Sequence, residues 1–275
     1  MIDQKAKGEA FRALHETGCF VIPNPWDVGS AKMLTRLGFA ALATTSSGYA
    51  RSTGVNDYEL SRDQVISHVR ELCAATHIPV SADLENGFGH TPEACAEIIR
   101  LGAEAGLVGG SIEDFTGTDG TLYEIEHAKE RVAAAVEAAR ALPFPFILTA
   151  RAENHFTGDG DLADSIKRLQ AYQDAGADVL YAPGLRTKAD IASVLASVDR
   201  PINILRSPKE EVLPISELAA MGVRRVSLGG SLAVVAMDAV LKASRELLDP
   251  GTFEFLRGVA PPAEIAALMT GNTAE

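Results

Sequence analysis

Eight short apolar runs, each followed by a longer amphipathic one, occupy this chain from residue 19 to residue 228 and beyond. The short runs fall at 19–23, 40–45, 79–85, 107–114, 146–153, 179–183, 202–205 and 225–228. Their length and Val/Ile/Leu content suit strands buried on both faces. The stretches between them, 27–37, 61–76, 91–105, 124–141, 162–175, 188–198 and 215–221, carry apolar residues at helical spacing. Strands joined by helices lie parallel, and eight of them predict a closed (β/α)8 TIM-type barrel, a fold of roughly 250 residues. An open doubly wound sheet is the alternative. The count of eight weighs against it, as does the lack of a Gly-x-Gly-x-x-Gly turn after the first strand.

Local chemistry marks the element ends. Thr91 can cap a helix that has Pro92 at its first position, and Ser61 with Gln64 forms a capping box. Gly38, Gly102, Gly106, Gly176 and Gly222 fall at helix-to-strand steps. After the eighth strand come a long helix, 232–248, and a short one, 262–269. The whole of 1–275 is therefore read as a single barrel domain. About 232–275 serves as the closing helix and a C-terminal helical extension, used in oligomerisation.

The formal net charge of −12 argues against nucleic acid or an anionic membrane surface as a partner. It leaves room for an anionic small molecule, because a metal and a few local cations set the field inside a cleft. Cys19, Cys73 and Cys95 are odd in number and lack metal-binding spacing, which fits a reducing compartment. The N-terminal segment is polar, and no apolar run is long enough to span a bilayer. The expectation is a cytoplasmic protein.

Chemistry in such barrels sits at the C-terminal strand ends. Here strand two is followed by Ser46-Ser-Gly-Tyr49 and a loop ending at Asp57. Strand three ends in Asp83 and Glu85, strand four in Glu113 and Asp114, and strand five in Arg151. In an extended chain the side chains of Asp83 and Glu85 would share one side. Taken singly, an Asp-x-Glu pair is more often an exposed loop feature. Taken together, these acids tile one mouth, the pattern of a Mg²⁺ site, and Arg151 could grip a substrate carboxylate. Trp26, just after strand one, could wall that pocket or simply pack there. Ser227-Leu-Gly-Gly-Ser231 reads equally as a phosphate loop or a tight turn. No serine-hydrolase elbow or nucleotide-triphosphatase loop is present.

These segments resemble the isocitrate lyase/phosphoenolpyruvate mutase superfamily over nearly the whole chain. The most specific pieces are Pro25-Trp-Asp-Val-Gly-Ser-Ala31, Ser46-Ser-Gly-Tyr49, Gly54-Val-Asn-Asp57, Asp83-Leu-Glu-Asn-Gly-Phe-Gly89, Ser111-Ile-Glu-Asp114 and Thr149-Ala-Arg-Ala-Glu153. The resemblance implies Mg²⁺, with Mn²⁺ as an alternative. It implies Asp83 as direct ligand, with Glu85 and Glu113 holding metal-bound waters. It also implies Asp57 near the reacting group, a carboxylate held by Ser47 and Gly48 with Trp26 and Tyr49 nearby, and Arg151 on a carboxylate or enolate oxygen. The catalytic set would be Asp57, Glu113 and Arg151. It further implies a homotetramer, a dimer of dimers exchanging its last helix.

Two features set the chain apart. Glu85 stands where the family commonly has Asp, and the loop Phe115-Thr-Gly-Thr-Asp-Gly-Thr-Leu-Tyr123 lacks the catalytic cysteine of true isocitrate and methylisocitrate lyases. The leading expectation is a Mg²⁺-dependent carbon–carbon lyase for a small 2-oxo or 2-hydroxy carboxylic acid, working by aldol-type cleavage or decarboxylation through an enolate. The alternatives are a P–C bond enzyme of the phosphonopyruvate or carboxyphosphonoenolpyruvate type, and a non-catalytic barrel that binds 2-oxo acids.

Overall fold

The structure is a computed structural model. It describes residues 3–117, 120–157, 160–207, 211 and 213–270. Eight parallel strands run in chain order: β1 (Phe20–Ile22), β2 (Leu42–Ala43), β3 (Val80–Asp83), β4 (Gly109–Glu113), β5 (Ile147–Arg151), β6 (Val179–Tyr181), β7 (Ile202–Leu205) and β8 (Arg225–Ser227). From β2 to β8 every strand pairs with its sequence neighbour, and β1 pairs with β8. The remaining seam, between β1 and β2, is bridged by Ala43 N–H donating to Pro23 C=O at 3.1 Å and Asn24 Nδ2 donating to Thr44 C=O at 3.0 Å. The cylinder is the expected barrel.

Helices surround it: α1 (Gln4–Ala13), α2 (Val28–Arg36), α3 (Ser46–Thr53), α4 (Arg62–Ala75), α5 (Pro92–Glu104), α6 (Ile125–Arg140), α7 (Asn154–Thr157), α8 (Leu162–Asp174), α9 (Lys188–Leu195), α10 (Ile215–Met221), α11 (Ser231–Leu248) and α12 (Pro262–Thr270). The capping box of Ser61 and Gln64 is present, and Thr91 caps α5 through the Ala94 N–H. Leucine, isoleucine and valine between the strands and these helices make the main core. At the far end from the rim, α1 plugs the barrel with Phe11 and His15, whose rings pack edge-on at 4.8 Å. A Cβ at Gly8 would lie 2.4 Å from the Pro145 C=O, so α1 can approach this closely only with glycine there.

The interior is unusually polar for a barrel. Ser81, Thr149, Asn203, Arg225 and Ser227 are all buried. Register places the rim acids side by side: Asp83 opposite Ser111, Glu113 opposite Arg151, and Arg151 opposite Tyr181.

Beyond β8, α12 packs on α2 of the same chain, where Arg36 Nη1 donates to the Leu268 C=O at 2.6 Å. Helix α11 buries only Ala233 and exposes Val235, Val240 and Leu248 among others. No helix among the described residues is long and apolar enough to cross a membrane.

Two buried histidines make the fold acid-sensitive. Burial pushes His15 down to about 3 and His68 down to about 4. The His68 ring is stacked on Tyr49 at 3.7 Å, and its Nε2 has no hydrogen-bond partner. A folded pKa below the unfolded value gives stability that is present above pH ~6.5 and lost as pH falls. Each should therefore contribute about 2 kcal/mol at pH 8 that is gone by pH ~5. Urea denaturation of His68→Phe at both pH values should show a pH-dependent loss smaller than the wild type by about that amount. An unchanged loss would mean that His68 is not held neutral.

Candidate active site

Strand β3 ends at Asp83, two residues short of its expected end. Glu85 does not continue the extended chain; its φ of 49° puts it in the left-handed region. The side-by-side placement expected of Asp83 and Glu85 from strand alternation therefore does not hold. A left-handed turn brings Glu85 back toward the acids instead. Tyr58 and Phe88 also have positive φ, at 66° and 57°. Three non-glycine residues in this sparsely populated region flank one site, and such strain persists only where surroundings enforce it. Part of the enforcement is Arg131 of α6, fully buried, which donates to the C=O groups of Asn86 and Gly89 and holds the loop after β3.

The acids surround one guanidinium. Arg151 Nε pairs with Glu153, and Nη1 lies 3.2 Å from Glu113 Oε2 and 3.5 Å from Asp83 Oδ1. Its Cζ stands 5.3 Å from the centroid of the Tyr181 ring. Glu113 Oε1 accepts from the Tyr58 hydroxyl at 2.7 Å. Asp83 Oδ2 accepts from the Ser46 hydroxyl at 2.9 Å. Burial, then Asp83 and Asp57, pushes Glu85 up to about 8. Asp57 is raised by burial and by Asp83, and Glu113 chiefly by burial.

Asp57, Asp83, Glu85, Glu113 and Glu153 thus gather around Arg151, with Arg51 acting on Asp57 as well. Asp57 Oδ1 and Glu85 Oε1 are buried without a hydrogen-bond partner. Excess carboxylate of this kind suits a divalent cation with hard oxygen ligands. Among the described residues no three His, Cys, Asp or Glu side chains form a closed metal cage. Mg²⁺ asks for none, since it keeps several waters and uses one or two carboxylates. The residues fit that ion.

Asp114 turns the other way. Its carboxylate accepts from Tyr172 at 2.5 Å, from Arg168 at 3.1 Å and from the Glu153 N–H at 2.8 Å, all in the protein core. It holds the backbone that carries Glu153 and so steadies the ion cluster from behind.

A cavity of about 380 Å³ opens beside the cluster. Asp57, Asp83, Arg151 and Ser47 line it, as do Arg51 and Tyr181. Ser46-Ser-Gly-Tyr49, the segment expected after strand two, begins α3. Thr45 caps that helix by accepting the Gly48 N–H at 3.2 Å, so this N–H is already spent. Gly48 is where α3 meets its neighbours: a Cβ there would lie 3.2 Å from Trp26 and 3.3 Å from Ala233. Trp26 and Tyr49 are absent from the lining; Tyr49 lies on His68. The turn after β8 is also filled from within, because Leu228 and Gly229 N–H both donate to Asn24 Oδ1 at 2.9 Å. Arg51, Asn203 and Arg225, which line the cavity, escaped the sequence reading.

After β4, Phe115 is bridged to Leu122 and the Tyr123 N–H donates to the Asp114 C=O at 2.8 Å. Residues 118 and 119 of that loop lie outside the described set.

A barrel with this acid-and-arginine rim suits a lyase or mutase. The chain belongs to the phosphoenolpyruvate phosphomutase family, whose model matches residues 11–248, and so to the isocitrate lyase/phosphoenolpyruvate mutase superfamily of enzymes. It is 53% identical to a candidate lyase/mutase of Burkholderia cenocepacia of solved structure, with TM-score 0.95, covering 98% of this chain and 97% of that one. It is 28% identical to an oxaloacetate decarboxylase of Rhodopseudomonas palustris over 76% of this chain and 69% of the relative. A solved oxaloacetate acetylhydrolase in complex with its product oxalate is 25% identical, with TM-score 0.86, over 97% of this chain and 95% of that one.

Proposed function

We propose that the chain is a Mg²⁺-dependent lyase that cleaves a carbon–carbon bond of a small 2-oxo or 2-hydroxy carboxylic acid through an enolate. The observation that carries this reading is the convergence of Asp57, Asp83, Glu85 and Glu113 with Arg151 beside a cavity of about 380 Å³. Asp83, with Glu85 and Glu113, would hold the ion. When bound, it supplies Lewis-acid polarisation of the substrate's oxygens.

The chain's own groups supply the rest. Arg151 spends Nε and Nη1 on acids, and Nη2 remains as a donor for a substrate carboxylate or for the oxygen on which charge develops. The Ser47 hydroxyl stands at the same mouth. Asp57, raised by burial and by Asp83 and lining the cavity, is placed to accept or return a proton. Decarboxylation asks least of the protein, since loss of CO₂ needs no acid at the leaving group. The two relatives that act on oxaloacetate support a short 2-oxo diacid as the first substrate to try.

We also propose a homo-oligomer formed through α11, which leaves Val235, Val240, Leu241 and Leu248 exposed, since exposed apolar side chains gathered on one helix are an ordinary mark of an interface.

The test is product analysis by NMR with Mg²⁺ and a panel of oxaloacetate, 2-methylisocitrate, 2,3-dimethylmalate and phosphonopyruvate. Cleavage of a carbon acid, abolished by EDTA and restored by Mg²⁺, is expected. Conversion of phosphonopyruvate alone, to phosphoenolpyruvate or with water to pyruvate and phosphate, would transfer the site to P–C chemistry. Binding without turnover of any acid would make the barrel a 2-oxo acid binder.

A further inference from the structure

One buried cation in this barrel takes no part in the rim cluster. Arg225, at the start of β8, is 5% exposed. Its Nε donates to Asn203 Oδ1 at 3.0 Å, its Nη2 donates to Thr149 Oγ1 at 2.9 Å, and its Nη1 lies 3.5 Å from His15 Nε2. Asn203 and Thr149 are neutral, and His15, pushed down to about 3 by burial and by Arg225 itself, is neutral near pH 7. Among the described residues no carboxylate pairs with Arg225. Burial pulls it down to about 10, and only Tyr181 acts in the other direction. A guanidinium has five N–H groups, and these partners take up only three. A buried charge without a counter-ion is costly, so a fold that keeps one calls for an explanation.

The cavity that opens at the rim reaches this arginine. Ser81, Ser111, Thr149, Asn203 and Ser227 line it on the way down, where barrels ordinarily pack bulky branched side chains. Asn203 is fixed in orientation, with Oδ1 on Arg225 and Nδ2 donating to Ser227 Oγ at 2.9 Å. Thr149, which Arg225 contacts, stands two residues before Arg151 on β5, about 7 Å along that strand. The result is a shaft with a cation at each end and neutral hydrogen-bonding walls. A planar carboxylate matches the guanidinium fork.

We propose that Arg225 is an anion-binding floor of the substrate cavity, taking the distal carboxylate of a dicarboxylic 2-oxo or 2-hydroxy acid whose other end lies at the Arg151 rim. The inference rests on the lyase reading for that other end. An acid lacking the second carboxylate leaves Arg225 without an anion, so the shaft selects diacids over monoacids of equal length.

Calorimetry with Mg²⁺ tests this with 2-oxoglutarate against 2-oxopentanoate, which has the same chain without the distal carboxylate. The wild type should bind the diacid at least about tenfold more tightly, the effect of one charge-assisted hydrogen-bonded pair. Arg225→Gln should erase that preference and leave 2-oxopentanoate affinity within about twofold, while Arg225→Lys keeps part of it. Circular dichroism establishes that the variants fold; if Arg225→Gln does not, the wild-type pair of ligands alone decides. Equal affinity for the two acids in the wild type, or a preference retained in folded Arg225→Gln, overturns the Arg225 site and leaves the rim reading standing. Failure of both acids to bind overturns the two together.

Discussion

Arg151→Ala should lower the stability of the Mg²⁺-free protein by about 3–5 kcal/mol, the usual cost of removing one partner from a buried ion pair. It should also cut turnover by about 10²–10³-fold, as loss of a donor to developing charge does. Arg151 is the cation shared by Asp83, Glu113 and Glu153, and the last two are almost wholly enclosed. Burial already raises the pKa of Glu113 and of Glu153, and Arg151 is the strongest group pulling each of them back down. Without it both should rise further and fold as neutral acids. A folded pKa above the unfolded value gives stability at low pH that is lost as pH rises. The deficit of Arg151→Ala should therefore be smaller at pH 5 than at pH 8. Arg151→Lys keeps the charge, recovers most of the stability, and still loses turnover because the fork is gone. Urea denaturation in EDTA at the two pH values reads this directly. A deficit that does not change with pH would show that the guanidinium is not what holds these carboxylates charged.

The alternation of short apolar and longer amphipathic runs made the barrel legible, because each strand is buried on both faces and each helix on one. The rim acids were legible for the same reason: the runs fix the strand ends to within two residues, and the strands end in Asp83, Glu113 and Arg151. What the runs could not carry was local backbone geometry. Glu85 looks extended from its neighbours, yet it turns left-handed under the hold of Arg131, which lies far along the chain. Helix α3 has a glycine and three hydroxyl residues in its first turns and no apolar period. It forms because Thr45 caps it and Gly48 lets it press on Trp26 and Ala233. Helix α1 hides in a polar N-terminal segment, since only Phe11 and the glycine at position 8 reveal its packing face. Arg225 did leave a signal. Arg225 and Ser227 alternate along β8 as Thr149 and Arg151 do along β5 and Ser111 and Glu113 along β4. Polar residues at every second position in several strands mark an interior that is not packed with hydrocarbon.

Asp83→Ala should remove Mg²⁺ binding and lower turnover on the order of 10³-fold, since the ion's charge stabilisation amounts to several kcal/mol. The variant should fold normally. Asp83 raises the pKa of both Asp57 and Glu85, so removing it relieves like-charge repulsion in the metal-free protein. Its loss costs hydrogen bonds from the Ser46 hydroxyl and the Glu85 N–H and a 3.5 Å contact with Arg151, which keeps Glu113 and Glu153. Loss of function would then come from the ion and not from the scaffold. The most direct measurement is a calorimetric titration of Mg²⁺ into wild type and into Asp83→Ala at pH 8. Saturable binding near one equivalent in the wild type, weakened at least about 100-fold in the variant, is the predicted result. Equal binding by the two proteins, or none by the wild type, would contradict the assignment of this rim as a cation site.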